Sequence, residues 1–215
     1  MPRASVRRVR RVRRRDPEDK RQRILAAAAR FLGEEGYEAM TAARVAAEAG
    51  VSEGLIFHHF GSKRGILAAL ADSFGRGAFE AVFASIEAGE PPRSTAEALR
   101  PLFDYAGEHR ALVRALARLA HGADRELAVD AVRGRVVAGL TDLLVREEDR
   151  GQVRPMDPAI VAELLFSLVV TALTECFVNG DGSRREDWLR EVARCIDAAT
   201  QAEPEEGLRA ARRNA

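Results

Sequence analysis

The stretch from Thr41 to Lys63, TAARVAAEAGVSEGLIFHHFGSK, restricts the fold more than any other part of the chain. Thr41 can cap a short helix, and Val45, Ala46 and Ala49 recur on one face of it at helical spacing. Gly50 supplies a tight turn, because glycine alone enters positive φ without steric cost. Val51 plugs the corner. Ser52 stands where a second helix would be capped, and Ile56 and Phe60, one turn apart, point inward from it. Glu53, Gly54, Leu55, Phe57 and His58 are left facing outward, on a helix of a size that enters the DNA major groove. This pattern is a helix-turn-helix.

The same residues carry a resemblance. Arg23-Ile24-Leu25, Ala27-Ala28, Phe31, Gly36-Tyr37, Thr41, Val45-Ala46, Ala49-Gly50-Val51-Ser52, Gly54, Phe57, His59-Phe60, Ser62-Lys63 and Leu67 are similar to the TetR family of bacterial repressors. The resemblance covers the N-terminal quarter. Beyond it, the likeness is limited to an all-helical layout. It implies that Thr41 and Lys63 make phosphate contacts and that Glu53, Gly54, Leu55, Phe57 and His58 occupy groove-facing positions. Two of these depart from the family pattern. Leu55 stands where a small hydroxyl or amide residue is usual, and Phe57 where tyrosine is usual. Each loses a hydrogen bond to DNA, and each can still touch a thymine methyl.

Charge is distributed unevenly. The chain carries a net +1, but residues 1–15 hold eight arginines and no acid, so the remainder carries −7. A terminal run of one sign reads as a disordered arm. It either neutralises DNA phosphates beside the helix-turn-helix or is a solvated tail. The start has no apolar segment of the kind that marks a signal peptide. The longest apolar stretch, Leu164 to Leu173, is interrupted by Ser167 and Thr171, and no membrane span is expected. Two cysteines are too few for a disulfide framework, which points to a reducing cytoplasm.

The remainder reads as helices separated by breaks. Asp16-Pro17 opens the first, and Ile24, Leu25, Ala28, Phe31 and Leu32 form its buried stripe. Ser62 caps a long helix through Ile66, Leu70 and Phe74, in which Gly75 and Gly77 serve either close packing or a flexible joint. Gly89 to Pro92 is a loop, and Ser94 with Glu97 forms a capping box. Pro101 is expected to kink or divide the helix that follows. Further helices are expected around Leu112–Leu119, from Asp124 through Leu144, and from Pro158 to about Val178. A second capping box, Ser183 with Glu186, would open a last helix carrying Trp188, Leu189, Val192, Cys195 and Ile196. The expected fold class is all-α, about nine helices. A three-helix DNA-binding domain (16–61) lies between the arm (1–15) and a larger effector-binding and dimerisation domain (62–202), and a loose tail (203–215) follows.

The helix from Pro158 is apolar on more than one face, which requires burial on all sides. A partner chain provides that, and the resemblance implies a homodimer through the last two long helices. Val169 and Val192 are the expected outward positions. A symmetric dimer places two reading helices one duplex turn apart, roughly 34–36 Å, and so fits a palindromic double-stranded DNA operator. The resemblance also implies a small-molecule effector, expected to be hydrophobic. Aromatic or polar groups on otherwise apolar helices are candidates to line its pocket: Phe74, Phe103, Tyr105, His109, Arg118, His121, Phe166 and Thr174. No metal site, cofactor or enzymatic motif is expected: no histidines are spaced i, i+4, no phosphate-binding loop occurs and the cysteines lack a Cys-x-x-Cys spacing. The expected function is a ligand-responsive transcriptional repressor. The alternatives are a weakly specific architectural DNA binder driven by the arginine arm, and a redox sensor through Cys176 and Cys195.

Overall fold

The structure, a computed structural model, describes residues 17–87, 92–119 and 125–201. The expected arm, the Asp16 and Asp124 caps, the Gly89–Pro91 part of the loop and the C-terminal tail lie outside the described residues. The described chain is all-helical: α1 (Pro17–Glu34), α2 (Ala42–Ala49), α3 (Glu53–Phe60), α4 (Lys63–Glu87), α5 (Thr95–Glu108), α6 (Arg110–Leu119), α7 (Arg125–Asp149), α8 (Pro158–Thr174) and α9 (Arg185–Thr200). A single π turn, Glu175–Asn179, extends α8. An isolated bridge joins Val153 to Gln201.

Local chemistry explains several of the helix ends. The Thr41 hydroxyl accepts from the Arg44 N–H at 3.3 Å, and Gly50 closes α2 at φ 62°. The Asp157 carboxylate accepts from the N–H groups of Ala159 and Ile160, both at 3.1 Å, with Pro158 at the first helical position. Ser62 Oγ accepts from the Gly65 N–H at 3.1 Å at the start of α4. In the Ser94 box the hydroxyl accepts from the Glu97 N–H at 3.2 Å, while the Glu97 carboxylate reaches the N–H of Arg93 at 2.8 Å.

Four expectations need correction. Ser52 occupies the cap position of α3, yet its side chain makes no capping hydrogen bond. Pro101 neither ends nor divides α5, which runs unbroken to Glu108. Its ring is on the exposed side, and the helix forgoes the bond that an N–H there would give. Ser183 and Glu186 form no capping box. The Ser183 N–H donates to Asp181 Oδ1 at 2.8 Å, and Glu186 accepts from Arg100 of α5 at 2.7 Å. Val192, expected to face outward, is buried, whereas Cys195 is exposed.

Three clusters form the interior. The first joins α1 (Ile24, Ala28, Phe31, Leu32), Met40, α2 (Val45, Ala46, Ala49) and Ile56 of α3. It extends past residue 61 to Ile66, Leu67, Leu70 and Ala71 of α4, and to Leu112, Ala115 and Leu116 of α6. The second gathers Leu99, Phe103 and Ala106 of α5, Val113 of α6, Ala172, Cys176, Phe177, and Leu189 and Val192 of α9. A small third cluster joins Leu144 of α7 to Ala162 and Leu165 of α8. Fully burying one such large apolar side chain contributes roughly 1.5–3 kcal/mol.

Glycines let the helices approach one another. A methyl added at Gly77 would collide with the Tyr105 ring, and one at Gly75 would lie 3.0 Å from Val132. Both sit inside the continuous α4, so close packing is what these glycines serve. At Gly33 an added methyl would strike Ala111, which brings α1 directly against α6.

The α6 helix also anchors the end of α8. Arg110 donates to three backbone carbonyls: Phe177 O (3.1 Å), Asp181 O (2.7 Å) and Gly180 O (2.6 Å). Arg114 adds a second bond to Phe177 O at 3.0 Å. Cations at a helix C-terminus satisfy carbonyls that lack an intrahelical donor.

Candidate nucleic-acid interface

The α3 helix is held from beneath and bare above. Ile56 is fully buried in the first cluster, and Val51 and Phe60 pack against it. Glu53, Gly54, Phe57 and His58 are exposed, and Leu55 is half-buried. Phe57 keeps half of its surface exposed, an unusual state for a phenyl ring. His59 is half-buried between the rings of His58 (5.5 Å) and Phe60 (6.0 Å). Of the five residues expected to face outward, four are exposed on α3 and Leu55 is half-buried.

Thr41 stands at the start of α2, and Lys63 opens α4 just after α3. The Thr41 side chain is engaged as the cap of α2. Lys63 Nζ lies 4.1 Å from the centre of the Tyr37 ring and 3.5 Å from both Glu38 Oε2 and the Glu38 carbonyl. Its side chain is only 29% exposed. Tyr37 and Glu38 are thus the immediate partners of Lys63, a role that the sequence did not indicate. The Gly36-Tyr37 pair just before the reader is the only signal for it.

Arg44 is exposed but engaged within the head. Its guanidinium forms two bonds to the Glu35 carboxylate, at 2.7 and 2.9 Å, and one to Ala39 O at 3.0 Å. It also covers the Phe31 ring at 4.5 Å. This guanidinium holds the Glu35 carboxyl below its ordinary range. Two arginines of α1 touch the reader unit. Arg23 Nη2 lies 3.5 Å from the Gly50 carbonyl at the turn, and the Arg21 guanidinium is 5.9 Å from the Phe60 ring.

The residues proposed for an effector site are not all together. Phe74, Tyr105 and His109 form a run of rings, at 5.4 Å from the first to the second and 4.2 Å from the second to the third. Burial pushes the Tyr105 hydroxyl above its ordinary pKa. His109 Nδ1 lies 2.9 Å from Tyr105 O, at the exposed junction of α5 and α6. Phe103 is fully buried in the second cluster, 6.5 Å from Phe177, and is a core residue. Phe166 and Thr174 are half-buried on α8. His121 and the Arg118 side chain lie outside the described residues.

The two cysteines differ. Cys176 is buried in the π turn, and burial raises its thiol above the ordinary value, whereas Cys195 is exposed on α9. A thiol reagent added to the native protein should leave Cys176 unmodified until the protein unfolds, because thiolate is the reactive form. Mass spectrometry of the labelled protein checks this; rapid labelling of Cys176 would show that the π turn opens. Among the described residues, no group of three or more His, Cys, Asp or Glu side chains could hold a metal ion.

The α8 helix presents a second distinctive surface. Ile160 is 59% exposed, Leu164 63% and Val170 42%. Ser167 and Thr171 continue the same face, with their hydroxyls donating back to Glu163 O and Ser167 O, both at 2.9 Å. By length and composition, Pro158–Asn179 is apolar enough to cross a membrane. Its opposite face nevertheless enters the second and third clusters through Ala162, Leu165, Ala172, Cys176 and Phe177.

Comparison with known proteins agrees with this architecture. Residues 24–70, from the middle of α1 into α4, match the family model for bacterial regulatory proteins of the tetR family. The HTH-type transcriptional repressor AcnR of Corynebacterium glutamicum is 47% identical over 55 residues, 26% of this chain and 29% of the relative. The chain thus spans less than a third of the length of the AcnR relatives it matches. The nucleoid occlusion factor SlmA of Mannheimia succiniciproducens is 27% identical over 162 residues, covering 73% of this chain and 75% of that protein. A crystal structure assigned to a TetR-family transcriptional regulator from Rhodococcus sp. aligns with a TM-score of 0.69 and 22% identity, over 86% of this chain and all of that one. The helix-turn-helix segment is thus similar to that of the tetR family of bacterial regulatory proteins, and the all-helical layout shares the fold of the solved TetR-family structure.

Proposed function

We propose that the protein is a DNA-binding transcriptional regulator that represses from a palindromic operator as a homodimer and is released by a small hydrophobic effector. The observation that carries this reading is the exposed surface of α3, namely Glu53, Gly54, Phe57 and His58 on a helix fixed by the buried Ile56. Residues 16–61 act as the reading domain and 62–202 as the effector and dimerisation domain. The exposed apolar face of α8 supports pairing with a second copy, with α9 flanking the contact. The ring series Phe74–Tyr105–His109 supports an apolar binding site with few polar groups, which favours a hydrophobic ligand. The protein acts in the cytoplasm, with the DNA.

Selection of duplex fragments by the purified protein tests the reading. A recovered palindrome with half-sites about one helical turn apart, roughly 10 base pairs, is the expected result. Changes at Glu53 or His58 should alter the preferred bases, and Phe57→Tyr should tighten binding by restoring a hydroxyl. Lys63→Ala should weaken binding to all sequences alike and reduce the salt slope by about one unit per head. Equal loss on specific and random DNA from every α3 change would refute the assignment of the reader.

A second reading is supported by the long SlmA match, a relative named for nucleoid occlusion. In that case the protein would act in nucleoid occlusion rather than at one or a few operators. Mapping its bound sites across the genome separates the two.

A further inference from the structure

The face that α3 turns outward is poor in hydrogen-bond donors. The helix reads EGLIFHHF, with no arginine, lysine, asparagine or glutamine. Those four side chains make the bidentate contacts that identify guanine and adenine in the major groove. Ionised Glu53 can only accept, and His58 is the one exposed side chain on α3 with a ring N–H to donate.

Nothing inside the protein accounts for two members of this face. Phe57 exposes 50% of its surface and joins none of the three interior clusters. Gly54, one turn earlier on the same side of the helix, does not have a positive φ, so its backbone is open to any residue. A methyl added there would meet nothing within 4 Å. Neither backbone conformation nor internal packing therefore calls for glycine, which is a weaker choice than alanine in a helix. What Gly54 removes is bulk on the outer side, beside the Phe57 ring. A bare backbone next to an exposed phenyl group permits close contact with an apolar target outside the chain.

The major groove offers such a target in the C5-methyl group of thymine, and 5-methylcytosine carries the same group. A phenyl ring covers a methyl without needing a donor or an acceptor. We infer that α3 reads its operator through the 5-methyl group of a pyrimidine in each half-site: Phe57 packs on the methyl, and Gly54 lets the helix come close enough for that contact. Uracil and unmethylated cytosine lack the group and are discriminated against at that position. This inference rests on the proposed DNA-binding function and names the base feature that its reader takes.

The test starts from the sequence that the full-length wild-type protein selects out of random duplexes. Each thymine is replaced in turn by deoxyuridine, symmetrically in both half-sites, and affinity is measured by fluorescence anisotropy. Loss of the methyl that Phe57 covers should weaken binding about 4-fold per head, roughly 16-fold for a dimer, on the scale of one buried methylene. In Phe57→Ala the thymine and deoxyuridine duplexes should bind equally at the responding position. Cytosine placed there should bind more weakly than 5-methylcytosine, by a factor similar to that for deoxyuridine against thymine. If the selected site already has cytosine there, its methylation raises affinity, and the source of the methyl is 5-methylcytosine instead of thymine. Gly54→Ala should keep or raise the unfolding temperature yet weaken operator binding by about 10-fold, because its methyl overpacks the contact. Affinity that responds to no thymine-to-deoxyuridine and no cytosine-to-5-methylcytosine change would overturn the inference. So would unchanged binding by Gly54→Ala, or a methyl response that survives in Phe57→Ala. Wild-type protein that selects no sequence would instead remove the underlying function, so the two failures are told apart.

Discussion

Leu164→Glu, alone or combined with Ile160→Glu, is expected to convert the protein to a monomer and to lower its affinity for the operator by about 100-fold or more. Both side chains stand more than half exposed on the same face of α8, one turn apart. Neither residue belongs to the three described clusters, so helical content and unfolding temperature of the protomer should be largely retained. Opposed across a two-fold axis, the new carboxylates would face one another in an apolar contact, where unpaired charge is costly. The loss on DNA follows because joining two heads makes the second contact intramolecular, an advantage of ~10²–10⁴. Sedimentation equilibrium and operator titration measure the two effects. Wild-type protein that is monomeric at micromolar concentration would refute the interface. Val192→Glu provides the contrast: Val192 is buried in the second cluster, so that change should unfold the protein rather than separate it.

Phe103→Ala should destabilise the fold by about 3–5 kcal/mol, the range for removing a fully buried phenyl ring. Phe103 has no exposed surface and packs among Leu99, Ala106, Val113, Phe177 and Leu189. Urea unfolding should show a lower midpoint with a similar slope. The folded fraction should select the same DNA, because the second cluster does not include α3. Nearly unchanged stability would mean that the ring lines a cavity instead of filling a core, and would return it to the effector candidates.

What the sequence revealed was local. Thr41, Gly50 and Asp157 act through neighbours within a few positions, and the periodicity of Val45, Ala46, Ala49 and Ile56 marks a face that any packing partner must cover. The failures arose where a distant group won a local competition. Ser183 and Glu186 have the spacing of a capping box, but Asp181 takes the Ser183 N–H and Arg100, far away in sequence, takes the carboxylate. Lys63 reads as an available cation because nothing in its own helix pairs with it; Glu38 and Tyr37 precede it by two helices. The outward face of α9 could not be chosen from its pattern, since Val192 and Cys195 both lie on an apolar stripe and only tertiary packing places the first inside and the second outside. Arg110 and Arg114 bond to carbonyls some 63–71 positions away, a relation that no spacing rule encodes.

The reach of the first cluster limits how such a protein can be recombined. Cutting the chain after residue 61 and joining the reading head to a foreign helical body would strip Ile24, Leu32 and Met40 of their neighbours Ile66, Leu67 and Leu70, and of Leu112 and Leu116 from α6. The smallest graft that keeps this interior intact is discontinuous in sequence: α1 to the first half of α4, together with α6. Because α6 is also bonded through Arg110 and Arg114 to the end of α8, a recipient must offer backbone carbonyls in the same place or leave two guanidinium groups without partners. Exchange of heads is therefore easiest between relatives that share the α6 contact, and altered DNA preference is reached with less disruption by substitutions on α3 than by transplanting the domain.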